Sequence, residues 1–303
     1  MRASLRVLIV GGYGTFGGRL VELLRDEPGL TLLVAGRSLE RAQEFCARIV
    51  AANASVVPVH FDREGDVQSQ LAAQTPDLVI DASGPFQSYG SQPYRLAAAC
   101  VALAVDYLDL ADGTDFVRGI AALNANAAKQ GVFVLSGVSS FPVLTTAVVR
   151  RLSTDIARVD TIRGGIAPSP HARVGLNVIR AVAGYAGCSI ELRRNGRRAF
   201  GSGFLEQMRY TISPPGEVPL DTRLFSLIDV PDLRELPEVW PDLREVWMGV
   251  APVPEILHRM LIAAAWLRRL KVVPPLRLFA PLLHWAVGTL RWGEHRGGMF
   301  ITL

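Results

Sequence analysis

Hydrophobic residues in the first 140 positions alternate between short continuous runs and stretches in which they recur every three or four residues. The runs predict buried strands at residues 5–10, 31–35, 55–59, 78–80, 107–110 and 132–135. The spaced stretches predict helices at residues 15–25, 38–50, 93–103 and 116–130. This alternation of strand and helix is typical of a parallel, doubly wound sheet. We therefore predict an α/β fold, with a Rossmann domain over residues 1–140.

Beyond residue 140 the pattern becomes mixed. Strand-like runs occur at residues 158–166, 203–212, 224–230 and 245–250, a helical stretch lies at 176–185, and Asn195-Gly196 predicts a hairpin. We expect residues 141–303 to form a second, α+β domain for substrate binding and dimerisation. The final GMFITL is strand-like and lacks a polar tail, which favours a shortened chain.

Residues 255–292 contain two apolar helical stretches separated by Pro274-Pro275 and bordered by arginines. One interpretation is a basic amphipathic surface that contacts a membrane peripherally. The favoured interpretation is that these helices pack onto the second domain or a partner subunit, because apolar helices usually belong to a core.

Composition narrows the class of protein. Half of the 303 residues are hydrophobic, which excludes disorder. The net charge of +4 is concentrated in residues 255–303, so a broad nucleic-acid-binding face is not predicted. Three widely spaced cysteines and no leader-like start favour a reducing cytoplasm. No histidine has metal-ligand spacing, and no metal is expected.

A glycine-rich turn carries the most specific signal. Gly12, Gly14 and Gly17 form G-x-G-x-x-G between a predicted strand and a predicted helix. In that context backbone N–H groups approach a pyrophosphate at a helix N-terminus. We therefore predict dinucleotide binding by this loop, including the intervening residues Tyr13, Thr15 and Phe16.

The end of the second strand indicates which dinucleotide is bound. An acidic residue there binds the ribose 2′-hydroxyl of NAD, whereas an arginine accommodates the 2′-phosphate of NADP. The chain has Arg37 and Ser38 at this point, with Arg41 close behind and no acid before Glu40. NADP is favoured over NAD.

The end of the fourth strand has small residues where a cofactor would pass. Ala82, Ser83 and Gly84 precede Pro85 and Phe86. This ASGPFQSYG run, the later AAAC and DYLDLAD segments and the AGRS of the second strand together resemble the cofactor domain of the saccharopine dehydrogenase family over residues 5–142. The resemblance implies an NADP-binding oxidoreductase-like protein, with Asp62 among the cofactor residues.

Catalytic residues are weakly indicated. Tyr107, Asp109 and Asp112 follow the fifth strand, and Asp112 is a candidate acid or base, although capping of the next helix is the expected role of Asp109 and Asp112. His171 and Arg173, in a loop of the second domain, are a candidate acid and anion clamp.

We expect hydride transfer to or from a small C=N, C=O or C=C substrate. The alternatives are an NADP-binding sensor or scaffold without catalysis, and an enoyl reductase acting on an apolar, lipid-like substrate. A homo-oligomer is expected, and no nucleic-acid partner is.

Overall fold

The computed structural model describes residues 4–172, 175–289 and 292–303, apart from the side chain of Ser88. The chain divides into two compact units, Met1–Ser139 and Ser140–Leu303. The predicted boundary at residue 140 lies at this division.

The first unit alternates strands and helices along the chain. Its strands are β1 (Leu5–Val10), β2 (Leu30–Gly36), β3 (Ser55–His60), β4 (Leu78–Asp81), β5 (Asp106–Asp109) and β6 (Val134–Leu135). Its helices are α1 (Thr15–Leu24), α2 (Leu39–Ala47), α3 (Val67–Gln74), α4 (Arg95–Ala102), α5 (Thr114–Gly119) and α6 (Asn124–Gln130). The described strands form one parallel sheet in the order β3-β2-β1-β4-β5-β6. That is the Rossmann order, so the predicted fold class is confirmed.

Alternate residues of the strands face opposite layers of helix. Ile9 and Leu32 pack on one side with Val21 of α1 and Phe45 of α2. Leu8 and its neighbours pack on the other side with residues of α3 and α4, such as Leu71 and Leu96. Because both faces are covered, β1 is apolar at nearly every position.

Two helices of this unit differ from the prediction. The sequence analysis missed α3, because its buried side chains are only Val67 and Leu71 and the rest of the helix is polar or small. The helix predicted at residues 116–130 is interrupted by a 3₁₀ turn at Ile120–Leu123. Just before it, a Cβ on Gly119 would lie 2.1 Å from the Tyr94 hydroxyl, so this close approach requires glycine.

The second unit is mixed. Its strands are β7 (Thr161–Ala167), β8 (Ser189–Arg194), β9 (Arg197–Ser202), β10 (Gln207–Tyr210), β11 (Arg223–Leu227), β12 (Glu245–Val250) and β13 (Gly298–Thr302). Its helices are α7 (Thr145–Leu152), α8 (Leu176–Tyr185), α9 (Asp232–Val239), α10 (Glu255–Arg269) and α11 (Ala280–Thr289). In the described part of the unit, one sheet has the order β10-β11-β12-β7-β13, and β8 and β9 form the predicted hairpin.

Helices and sheet of the second unit share one core. Ile162, Phe225 and Val246 of the sheet are fully buried, and Ala265 of α10 packs in the same cluster. The terminal strand β13 pairs antiparallel with β7, as expected for a chain that ends in an apolar run. Across the ranges that the structure describes, no helix has both the length and the apolar character needed to cross a bilayer.

Candidate functional site

The glycine loop joins β1 to α1 through unusually close backbone contacts. A Cβ on Gly17 would lie 2.3 Å from the carbonyl oxygen of Gly11, which no real side chain tolerates. On the other side, a Cβ on Gly11 would lie 2.9 Å from the Cα of Ser83. The loop therefore lies directly against the segment that follows β4, at the carboxyl edge of the sheet.

The amino-terminal turn of α1 is open to a ligand. Gly14 occupies the N-cap position without a side-chain acceptor, and no acidic residue lies in the first turn. Gly14, Thr15 and Phe16 are exposed, whereas Gly17 is buried. The first N–H groups of a helix have no acceptor within the helix and carry partial positive charge. This turn can accept an anion such as a pyrophosphate.

Tyr13 connects the glycine loop to the end of β2. Its hydroxyl oxygen accepts a hydrogen bond from the Ser38 backbone N–H at 3.1 Å, and its ring packs against Gly36. The guanidinium of Arg41 lies 5.2 Å from the centre of the same ring. The phenol thus positions the β2–α2 connection beside the pyrophosphate loop.

The β2–α2 connection presents two exposed cations and one carboxylate. Arg37 and Arg41 are exposed. The Ser38 hydroxyl caps α2 by accepting the Arg41 N–H at 3.2 Å, and it donates to Glu40 at 2.9 Å. Hydrogen bonds from its own backbone and from Ser38 hold the pKa of Glu40 below its ordinary value. The carboxylate of Glu40 was not weighed in the sequence analysis, and it competes with a phosphate for the Ser38 hydroxyl.

A buried carboxyl fixes the Ala82–Phe86 turn. Asp81, at the end of β4, accepts hydrogen bonds from the Ser83 N–H at 2.9 Å and the Ser83 hydroxyl at 2.6 Å. The Tyr89 hydroxyl donates to its other oxygen at 3.1 Å. Burial raises the pKa of Asp81, and the bonds from Ser83 oppose that shift. The Ser83 side chain is therefore engaged by Asp81, and Ala82, Gly84 and Pro85 form the partly exposed part of the turn.

Phe86 serves the turn through packing. It is 6% exposed, and its ring centroid lies 4.7 Å from that of Tyr89 and 5.1 Å from that of Phe116. Tyr94 adds a fourth ring, 5.0 Å from Phe116. The four rings pack against one another beneath the surface of the turn, so the side chain of Phe86 is buried and not part of the exposed surface.

The expectation that Asp109 and Asp112 cap the following helix is wrong. The N-cap of α5 is Gly113, without a side-chain cap. One oxygen of the buried Asp109 instead accepts the N–H groups of Ala111 and Gly137 and the hydroxyl of Ser136, all within 2.9 Å. These bonds join the end of β5 to the segment after β6, which a local helix rule cannot foresee. Burial raises the pKa of Asp109 to about 6.

Asp112 lies beside the turn that follows β4. The amide of Gln87 donates to its carboxylate at 2.9 Å, and burial raises its pKa above the ordinary value. The backbone of Gly113 also packs on Gln87. Asp112 is thus partly buried at the carboxyl edge of the sheet, near residues 84–87, where a proton-exchanging group could act.

Asp62 stabilises its own turn. One of its carboxylate oxygens accepts the Glu64 N–H at 3.1 Å, and its backbone N–H donates to Gln70 at 2.7 Å. The side chain is partly exposed near the start of the connection from β3 to α3. A role in cofactor binding stays a prediction.

The second unit contains further candidate residues. The ring of His171 stacks on that of His295, with centroids 3.8 Å apart, and its backbone N–H donates to the Ser169 hydroxyl. Arg173 lies outside the described residues. Asp232, which the sequence analysis did not select, is fully buried at the start of α9, and burial raises its pKa to about 7.

Comparison with known families bears on the first unit. The family model described as Saccharopine dehydrogenase NADP binding domain matches residues 7–135. The matched residues lie within the first unit. The resemblance predicted from the residues is therefore confirmed, and the glycine loop and the β4 turn both lie within the matched residues. None of the curated proteins compared with the chain matches it.

Solved structures that align with the chain are distant. GenD2 from gentamicin A biosynthesis, solved with NAD, has 18% identity and a TM-score of 0.45, and the alignment covers 83% of this chain. This chain spans 66% of the length of GenD2. A myo-inositol dehydrogenase from Corynebacterium glutamicum has 13% identity, a TM-score of 0.44 and coverage of 82% and 68%. Biliverdin reductase from Synechocystis, solved with biliverdin and NADP+, has 14% identity, a TM-score of 0.39 and coverage of 83% and 73%.

Proposed function

We propose that this protein is an NADP-dependent oxidoreductase that transfers a hydride to or from a small C=N, C=O or C=C substrate. The observation that carries the proposal is the open, acid-free first turn of α1, which follows a tightly packed glycine loop and lies beside the exposed Arg37 and Arg41. This arrangement offers a pyrophosphate site and a 2′-phosphate site on neighbouring connections of one sheet.

The residues present fit an NADP molecule. The backbone N–H groups of Thr15 and Phe16 would hold the pyrophosphate, because both residues are exposed at a helix N-terminus, whereas the Gly14 N–H donates to the Gly11 carbonyl. Arg37 and Arg41 would hold the 2′-phosphate through charge-assisted hydrogen bonds. When bound, the nicotinamide supplies the hydride carrier, and the protein supplies binding and orientation.

Asp112 is the proposed proton-exchanging residue of the first unit. Reduction of a C=N or C=O bond needs one proton in addition to the hydride. A carboxyl whose pKa is raised by burial keeps its proton closer to neutral pH than an exposed one. The hydrogen bond from Gln87 holds this carboxyl near the β4 turn.

The binding test is calorimetric titration with NADPH and NADH. We expect wild-type protein to prefer NADPH, and Arg37→Ala to weaken NADPH binding by about tenfold or more, since hydrogen bonds between charged groups contribute roughly 1.5–3 kcal/mol. NADH binding should change little. Arg48→Ala is the matched control, because Arg48 is another exposed arginine at the far end of α2.

Glu40 makes the assignment falsifiable in a second way. Its carboxylate accepts the hydrogen bond of the Ser38 hydroxyl. Glu40→Gln removes the negative charge that would repel the 2′-phosphate, so it should strengthen NADPH binding. A preference for NADH that disappears in Glu40→Gln would overturn the assignment of NADP and make Glu40 the ribose acceptor. Binding of NADPH without turnover of any imine, ketone or enoyl compound would favour the alternative hypothesis of a non-catalytic NADP-binding sensor or scaffold.

A further inference from the structure

Residues 256–293 contain no aspartate or glutamate. The same stretch has five arginines and one lysine, which give it a formal charge of +6 with histidine neutral. It also contains three of the five tryptophans of the chain, Trp266, Trp285 and Trp292.

Helix α10 is apolar on the side that faces solvent. Met260 is 62% exposed, Trp266 51% and Leu270 66%. Together with Ile256 these residues recur at helical spacing and form one outward stripe, while Leu261, Ile262 and Ala265 pack into the core of the second unit. A helix at a water-exposed surface normally has a polar outer face, so α10 is unusual for such a position.

Exposed apolar side chains also follow α10 along the chain. Leu278, Leu282 and Trp285 recur at spacings of four and three residues and are each more than 60% exposed. Further exposed apolar side chains of this part of the chain are Val272, Phe279 and Trp292. We call the exposed residues of 256–292 the basic apolar face. Scattered single apolar residues on a surface are normal, but so many in one segment of the chain indicate an interaction site.

Exposed cations are interspersed among these side chains. Arg269, Lys271 and Arg277 are exposed, and Arg259 is exposed beside Glu255, to which it donates at 2.9 Å. Apolar side chains need a non-aqueous medium, and the surrounding cations need anions. Tryptophans, long apolar side chains and arginines together are the composition found at the boundary between headgroups and acyl chains.

We propose that the basic apolar face binds the surface of a bilayer that contains anionic lipids. The charge distinguishes this occupant from a second copy of the chain, because two faces with the same positive charge repel each other. Anionic headgroups instead attract each nearby Lys or Arg. The apolar stripes of α10 and of residues 278–285 would then lie at the headgroup boundary.

The experiment is co-sedimentation of the full chain with vesicles of phosphatidylcholine alone and of phosphatidylcholine mixed with phosphatidylserine. We expect binding to the mixed vesicles that weakens with salt, and little binding to neutral vesicles. Phosphatidylcholine with brominated acyl chains, added to the mixed vesicles, should quench tryptophan fluorescence, since Trp266, Trp285 and Trp292 would contact the acyl region. Buried Trp247 should not contribute.

Matched variants distinguish binding through this face from nonspecific binding through charged or apolar residues elsewhere on the protein. Lys271→Glu should weaken binding to mixed vesicles by about tenfold or more, and Trp285→Ser should weaken it and remove the Trp285 share of the quenching. The controls are Arg197→Glu and Phe200→Ser, because both residues are exposed on strand β9, outside the face. Unchanged unfolding temperatures would show that the variants fold.

Three outcomes would overturn the proposal. The first is no binding to anionic vesicles at low salt, and the second is equal loss of binding in the control variants. The third is that the wild-type protein is a dimer, that Trp285→Ser dissociates this dimer, and that neither protein binds vesicles. The face would then be an interface between copies of the chain. Each outcome is independent of whether the first unit binds NADPH.

Discussion

A single methyl group added at Gly17 would collide with the backbone of the glycine loop. The new Cβ would lie 2.3 Å from the Gly11 carbonyl oxygen and 2.8 Å from its carbonyl carbon, and neither atom belongs to a flexible side chain. We expect Gly17→Ala to lower the free energy of unfolding by about 3 kcal/mol, at the upper end of overpacking effects. Chemical denaturation measures this change.

Gly113→Ala is the control at the residue scale. A Cβ there would meet only Gln87, at 3.5 Å or more, which is ordinary contact. Its effect on unfolding should stay below about 1 kcal/mol. Equal destabilisation by the two substitutions would contradict the tight-loop geometry.

At the scale of elements, the aromatic cluster joins the β4 turn to α5. The centroid of the Phe116 ring lies within 5.3 Å of the ring centroids of Phe86, Tyr89 and Tyr94. Phe116 belongs to α5, and the other three residues lie between β4 and α4. We expect Phe116→Ala to cost about 3–5 kcal/mol of folding stability because it leaves a cavity under the turn. It should also weaken NADPH binding, since the turn lies against Gly11.

Phe116→Leu tests whether the effects of Phe116→Ala arise from the lost side-chain volume. Leucine keeps most of the buried volume, so most of the stability and the NADPH affinity should return. Denaturation and calorimetric titration measure both. Full affinity in a destabilised Phe116→Ala would show that the cluster supports folding alone.

At the scale of the whole molecule, buried carboxyls make stability depend on pH. Burial raises the pKa to about 6 for Asp109 and about 7 for Asp232, whereas both ionise near pH 4 in an unfolded chain. Below pH 4 both states hold the protons and the full stability is present. Between about pH 4 and 7 the unfolded chain releases protons that the folded protein keeps, so the free energy of unfolding falls.

The size of the decrease is testable with one isosteric substitution. Asp109 alone should account for about 3 kcal/mol, and Asp109→Asn should remove that part of the pH dependence of urea unfolding. Asp26→Asn is the control, since the Asp26 side chain is 63% exposed. An unchanged pH dependence in Asp109→Asn would contradict a raised pKa for this group.

The sequence by itself determined the elements that depend on local signals. Hydrophobic runs and helical spacing located β1, α1 and α8 within a residue at each end, and the G-x-G-x-x-G motif located the loop between β1 and α1. Local periodicity was sufficient there because both faces of the sheet are covered and the glycines are required by the turn itself.

Only the tertiary structure decided what depends on partners far apart in the chain. Asp109 accepts a hydrogen bond from the hydroxyl of Ser136, which is 27 residues away in the chain. Local sequence signals do not show such a partner, so the sequence analysis predicted a helix cap instead. The outward apolar stripe of α10 could not be distinguished from a core stripe, because periodicity shows which residues share a face and not what covers that face. Which side of α10 is buried is decided by its packing in the core of the second unit.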